Sequence, residues 1–245
     1  MTRALVVMRR ELKSYFASPI AYVFGALFLA AQIGFTMLVT WKHGAIASMQ
    51  VFFQMFLPWS FMVFVSALTM RLWAEERKLG TLELLMTFPV RVGELIAGKF
   101  LAVVAYLALV LLLTLGLPLT MSWYGNLDWG PVLSAYLASM LMAGAFVAVG
   151  MFYSSLTRDQ IIALLLTLVT LLLLLVLGLP PVVEKMTSFL PRWAAEGVAA
   201  LSPVPYFGSI ARGVLDTGDL VYYVCFTLFF LHLNALVLHG RRLKG

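Results

Sequence analysis

Apolar residues run along this chain in long stretches separated by short charged segments, and the length of each stretch is what predicts its structure. Windows of about 19 residues place these stretches near 19–39, 51–71, 100–121, 132–153, 161–182 and 221–239. A helix rising about 1.5 Å per residue needs roughly 20 residues to cross a hydrocarbon core of ~30 Å, so six transmembrane helices are expected. Between Ile161 and Val176 only Thr167 and Thr170 are polar. With no polar stripe at helical period, much of that helix is expected to face lipid. Ahead of the first stretch, Leu5, Met8, Leu12 and either Tyr15 or Phe16 fall on one helical face and Arg9, Arg10 and Lys13 on the opposite one. That pattern predicts a helix lying in the membrane interface over residues 1–18, before the chain turns inward at Pro19.

Composition names the solvent. Hydrophobic residues make up 62% of the 245 and charged residues 11%, against ~25% charged in a soluble domain. The mean hydropathy is +0.98. The net charge of +6 does not point to nucleic acid, because Lys and Arg sit in short clusters beside the apolar stretches. Arg3, Arg9, Arg10 and Lys13, the five basic residues from Arg71 to Lys99, Arg158, and Arg241, Arg242 and Lys244 place 13 on one side of the membrane. Lys42, Lys185, Arg192 and Arg212 leave 4 on the other. The positive-inside rule then puts both termini in the cytoplasm, as an even number of spans requires. The first apolar run is longer than a signal-peptide core and is expected to be retained as a helix. The single cysteine, Cys225, leaves no intrachain disulfide to form.

Candidate chemistry is sparse. Residues Gly93 to Phe100 match a phosphate-binding loop up to its last position, where Phe100 replaces the hydroxyl that would hold magnesium. No strand precedes the motif and a span follows, so no nucleotide site is expected; Lys99 reads as the cytoplasmic end of the third span. The intramembrane polar residues Gln32, Gln54, His232 and Asn234 form no proton relay, and interhelical hydrogen bonding is their expected use. Small residues four apart, Ala26, Ala30 and Gly34 and then Gly144 and Ala148, permit close helix approach. Glu184, Glu196, Asp216 and Asp219 in segment 183–220 lack a histidine or metal-ligand spacing, so no catalytic residue, cofactor site or metal site is assigned. That external segment, apolar from Phe189 to Leu201 but broken by Pro203 and Pro205, is expected to form a pair of short interfacial or re-entrant helices.

The informative segment is 72–99, between spans two and three. Gly80 breaks the helix leaving the membrane, Thr81 caps a new one, Glu83 lies in its positive first turn and Pro89 stops it. The product is a helix of about two turns with Leu82, Leu85 and Met86 as an exposed apolar ridge rimmed by charge, suited to docking another protein.

At these residues the chain resembles the transmembrane subunit of an ABC-2 type transporter. Glu76, Gly80, Thr81, Leu82, Glu83 and Pro89 match that family's approach to its coupling helix, and Arg9, Arg10, Glu11, Leu12, Tyr15, Phe16, Ser18 and Pro19 resemble its N-terminal elbow. Within the family the chain is most similar to bacterial permeases of the gliding-motility and nitrous-oxide-reductase-maturation type. The residues that carry this are Leu201 to Pro203, Phe207, Arg212 to Asp216, Asp219 to Tyr223 and the Arg241, Arg242 end. Pro205 and Tyr206 depart from the pattern, in which a histidine precedes Phe207.

The resemblance implies an all-α integral membrane protein forming one transmembrane domain over 1–245, with the elbow helix, six spans, a coupling helix and short external helices. It implies an exporter in a bacterial inner membrane. Two copies, or one copy and a sister permease, would assemble with two separately encoded ATP-binding cassette subunits that bind ATP and Mg, and with a periplasmic auxiliary protein in some systems. Coupling would fall to Glu76, Gly80, Thr81, Leu82, Glu83, Leu85, Met86 and Pro89. The alternatives from other classes are a membrane-embedded lipid-modifying enzyme, which would need a convergent acid, base or metal cluster, and an ion-coupled carrier, which would need ionisable groups near the midplane.

Overall fold

The computed structural model describes residues 3–42, 49, 52–82 and 91–242, which are helical with no strand among them. Helix α1 (Arg3–Ala17) leads into α2 (Pro19–Lys42), whose opening proline has no N–H to leave unsatisfied in a first turn. A π turn (Phe52–Phe56) opens the second span, which continues as α3 (Leu57–Thr69) and α4 (Arg71–Lys78). The third span is α5 (Val92–Leu113) with α6 (Gly116–Tyr124), the fourth α7 (Trp129–Leu156) and the fifth α8 (Gln160–Leu177). Short helices α9 (Pro180–Thr187), α10 (Arg192–Ala199) and α11 (Val204–Ala211) precede α12 (Thr217–Arg242). Six helical segments among the described residues are long and apolar enough to cross a membrane.

Two boundaries differ from those expected. The third span begins at Val92, because the Arg91 amide donates to the Glu94 carboxylate at 3.1 Å and closes the first turn. Residues Gly93 to Phe100 are therefore helix and form no phosphate loop. The second span runs on to Lys78, its charged last turn held by partners described below.

Helix α7 is the centre, packed against α3, α4, α5, α8, α11 and α12. It can be central because Ala143, Gly144, Ala145, Ala148 and Gly150 keep its surface low. At Gly150 a Cβ would overlap the Thr69 side chain, so only glycine lets α3 approach there. The peripheral helices present apolar residues outward, among them Ile161, Ile162, Leu165 and Leu173 of α8, as the missing polar stripe predicts. The small-residue series of α2 takes a different orientation from the one its spacing suggests: Ala26, Ala30 and Gly34 are exposed, while Ala21, Gly25, Phe28, Gln32 and Thr36 turn inward.

The intramembrane polar residues also depart from expectation. Gln54 and His232 are exposed, and the fully buried amides of Gln32 and Asn234 find no hydrogen-bond partner among the described residues. Between spans five and six there are three short helices where two were expected. The third, α11, buries Phe207, Ile210 and Ala211. Tyr222 donates to the Leu201 carbonyl at 2.6 Å and Tyr223 to the Pro203 carbonyl at 2.8 Å, fastening α11 to α12. Tyr206 stacks on Tyr222 at 3.9 Å. Leu201, Pro203, Phe207, Tyr222 and Tyr223, named in the resemblance above, thus hold this connection in place, and so does Tyr206, which departs from that pattern. The four carboxylates of segment 183–220 do not converge: Glu196 pairs with Arg192 at 2.9 Å and Asp216 accepts from the Gly218 amide at 3.1 Å. Among the described residues no three metal-ligating side chains gather anywhere.

Candidate functional site

The polar chemistry of the molecule concentrates at the end of the bundle where α1, α4 and the start of α5 meet. Helix α1 lies against α5, and Gly98 makes the approach possible. A Cβ at Gly98 would sit 2.6 Å from the Val7 Cβ and 2.8 Å from the Ala4 carbonyl oxygen. This contact sets the rotation of α1. Ala4, Val7, Met8, Glu11, Leu12 and Tyr15 turn towards the bundle, so that of the two aromatic positions Tyr15 is the inward one; Leu5, expected on the apolar face, is 42% exposed, and Phe16 39%. Arg9, Arg10 and Lys13 face outward as predicted. The Tyr15 ring stacks on Tyr106 at 5.7 Å, and Phe16 meets the same ring edge-on at 6.2 Å. Burial, reinforced by the Glu11 carboxylate, holds the Tyr15 phenol well above its usual range and keeps it neutral.

Lys99 stands about two turns inside α5, and only 3% of its side chain is exposed. Its Nζ donates to Glu76 Oε1 at 2.8 Å and to Glu11 Oε1 at 3.2 Å, and it lies 5.0 Å from the centroid of the Trp73 ring. An ammonium taken out of water needs such partners, because desolvation costs several kcal/mol unless opposite charge and hydrogen bonds compensate. A π face adds cation attraction. The expectation that Lys99 merely marks the end of a span is thus corrected: it joins α1, α4 and α5. The one sequence signal was a lysine followed at once by an apolar run, Phe100 to Val104.

Helix α4 is steered into this junction by Ser154 of α7. Where the backbone ladder of the second span opens, the Ser154 hydroxyl accepts from the Trp73 and Ala74 amides at 3.0 and 3.2 Å and donates to the Met70 carbonyl at 3.0 Å. A side chain inserted into the ladder is a recognised cause of a helix bend. Arg77 donates to the Ser155 carbonyl at 3.1 Å, and Arg71 forms two hydrogen bonds with Glu75 at 3.0 and 3.2 Å. Trp73 and Ser154 have no counterpart among the residues singled out from the sequence, because each acts through a neighbour that only folding brings close.

Helix α4 then ends at Gly80, whose φ of +72° lies in the left-handed region that favours glycine. The Thr81 hydroxyl donates back to the Glu76 carbonyl at 3.2 Å, and the first-turn amides it was expected to cap lie outside the described residues. Leu82 is 8% exposed and belongs to the core cluster, so the exposed ridge expected over Leu82, Leu85 and Met86 does not include it. An apolar side chain directly after a tight turn can fold back onto the bundle it has just left. Glu83, Leu85, Met86 and Pro89 lie outside the described residues.

Beside the Lys99 junction, between α1 and the second span, is a cavity of about 410 Å³. Its polar wall includes Arg10, Ser14, Ser18, Arg71 and Glu75, and its apolar wall Ala21, Phe24, Ala67, Leu68 and Leu72.

The ABC-2 family transporter protein profile matches residues 7–192, from the second turn of α1 to the first residue of α10. No curated protein matches the chain. A match over most of the length, on a bundle of six membrane-crossing helices, shows that the chain belongs to the ABC-2 transporter family: it is a multi-pass membrane protein, the permease component of an ABC transporter that works with an ATP-binding cassette subunit.

Proposed function

We propose that this permease is the membrane half of an ATP-driven exporter, of the gliding-motility or nitrous-oxide-reductase-maturation type, in a bacterial inner membrane. Both termini and the connection between the second and third spans, narrowed from 72–99 to about 79–91 by the longer helices, are cytoplasmic in this reading, and 183–220 are external, where a periplasmic auxiliary protein can reach them. The single transmembrane domain, 1–245, pairs with a second copy or a sister permease. Two separately encoded ATPase subunits bind ATP and Mg and drive substrate outward across, or out of, the membrane. The coupling element is the segment that follows Gly80 and Thr81 and is stopped by Pro89, with Glu83 in its first turn and Leu85 and Met86 as the ridge offered to the ATPase.

One observation carries the reading. Lys99 ties Glu76, at the exit of the second span, to the start of the third and to Glu11 of the elbow helix. These elements flank the segment assigned to the ATPase on both sides. A push on that segment therefore reaches two spans and α1 through charged contacts, and does not dissipate in a loose loop. Leu82, seated in the core, anchors one end.

Leu85→Asp tests the assignment by placing a carboxylate in an apolar contact. Without a partner it costs several kcal/mol. Recovery of the ATPase on the purified permease, and substrate-stimulated hydrolysis by the reconstituted complex, should both fall well below wild type. Glu83→Lys, acting through the first-turn charge, should fall less. Normal ATPase recovery with Leu85→Asp would show that the segment is only an interfacial linker.

A further inference from the structure

We propose that the cavity between α1 and the second span is a binding site for one zwitterionic phospholipid, with its phosphate and ammonium among the charged side chains and an acyl chain along the apolar wall. At about 410 Å³ the cavity lies within the ~300–1,000 Å³ range of small-molecule sites. Its walls divide by chemistry in the sense a lipid needs. Ser14 and Ser18 sit just ahead of the first membrane-crossing window, which opens at Ala21, and Ala21 and Phe24 are its first turn. Leu68 and Leu72 continue the apolar wall on the second span. The cavity thus straddles the level where headgroup gives way to hydrocarbon.

Charge selects the headgroup. Arg10, Arg71 and Lys99 line the cavity together with Glu11, Glu75 and Glu76, three of each sign. The charge of Lys99 is matched by Glu11 and Glu76, and that of Arg71 by Glu75. An anionic lipid would bring in a charge without a counterpart, against a cost that grows as the site is desolvated. A zwitterion adds none. Arg10, whose side chain is 66% exposed and stands 3.7 Å from Glu11, has donors to give a phosphate. The second oxygen of Glu76 is buried and accepts no hydrogen bond, which leaves an acceptor for an ammonium that displaces its surroundings slightly. The Ser14 and Ser18 hydroxyls supply further polar contacts at the same level.

The test is native mass spectrometry of the full chain released from nanodiscs of equal parts phosphatidylethanolamine, phosphatidylglycerol and phosphatidylcholine. Wild type should keep one zwitterionic lipid, at least about tenfold enriched over phosphatidylglycerol, a bias that corresponds to ~1.4 kcal/mol. Ser14→Trp, which fills the cavity from its rim, should abolish the bound lipid while leaving the thermal midpoint of the protein unchanged. Arg10→Glu, on an exposed side chain that no fold contact requires, should reduce retention severalfold and serves if Ser14→Trp does not fold. Soluble phosphoethanolamine, added alone, should not displace the lipid, because it lacks the chain that fills the apolar wall; displacement would overturn the lipid assignment in favour of a headgroup-sized solute. Equal retention of the three lipids, or retention unaffected by both variants, would overturn the proposal.

Discussion

Replacing Lys99 with methionine should be the most damaging single change at the junction. The lysine side chain is 3% exposed, and those of its partners Glu11 and Glu76 are 14% and 17% exposed. Lys99→Met keeps the length and apolar stem of the side chain, so it opens no large cavity. What it leaves is two carboxylates with their shared cation gone, one of them already holding an oxygen without a hydrogen bond. Breaking a buried ion pair from one side costs about 3–5 kcal/mol. At about 2–4 °C per kcal/mol for a chain of this size, the thermal midpoint should fall by roughly 6–20 °C. The assay is size-exclusion chromatography of heated, detergent-purified protein. The triple variant Glu11→Gln, Lys99→Met, Glu76→Gln should recover most of the loss, because a buried ion pair replaced as a whole is often close to neutral. Coupling gives the second readout: the triple variant, stable but without the tie between α1, α4 and α5, should hydrolyse ATP in complex with its partner without the substrate-dependent stimulation of wild type. A single variant within about 2 °C of wild type, less than one kcal/mol would produce, would refute the reasoning. So would a triple variant as unstable as the single one.

Three further outcomes are expected. Ser154→Ala strands two amides and a carbonyl of the second span, and at about 1–3 kcal/mol for a buried group left unpaired it should lower the same thermal midpoint clearly. Gly98→Val should push α1 off α5 through Val7 and Ala4, costing about 1–3 kcal/mol and raising trypsin cleavage at Arg9 and Arg10; Gly98→Ala, with the smaller side chain, should raise it less. In a Cys225→Ser background, Glu196→Cys should be labelled by an impermeant maleimide from outside the cell and Lys78→Cys should not, and the opposite pattern would overturn the charge-based orientation.

Much of the architecture was legible in the sequence, because in a bilayer the length of an apolar run is itself the constraint. With no water to satisfy the backbone, a run of about 20 residues has little choice but to cross as a helix. The six spans, the outward face of α8 and the glycine turn at Gly80 follow from that rule and from local backbone chemistry. The amphipathic pattern likewise predicts a helix over residues 1–18 and puts Met8, Leu12 and Tyr15 on the side that turns inward, but Leu5, which it places there too, is exposed, and it says nothing of what that side packs against. Local amphipathicity describes a helix resting on lipid, and it cannot contain the rotation imposed by Gly98, whose missing side chain matters only once Val7 and Ala4 lie against it. The same holds for the small residues of α2, whose spacing is compatible with two orientations and whose inward face is decided by what α3 and α5 present.

The site shows the division most clearly. Charge counting treats Lys99 as one more cation beside a membrane, and Glu11 and Glu76 as members of two separate motifs. They are 88 and 23 positions away from it along the chain, and nothing local announces that they meet. Only packing brings them within hydrogen-bond distance, and only burial turns that proximity into a strong interaction, because the same pair in water would contribute little. Sequence alone determined that this protein lives in the membrane, and its family; the tertiary structure decided which charges meet there, since desolvation and distance are properties of the folded bundle.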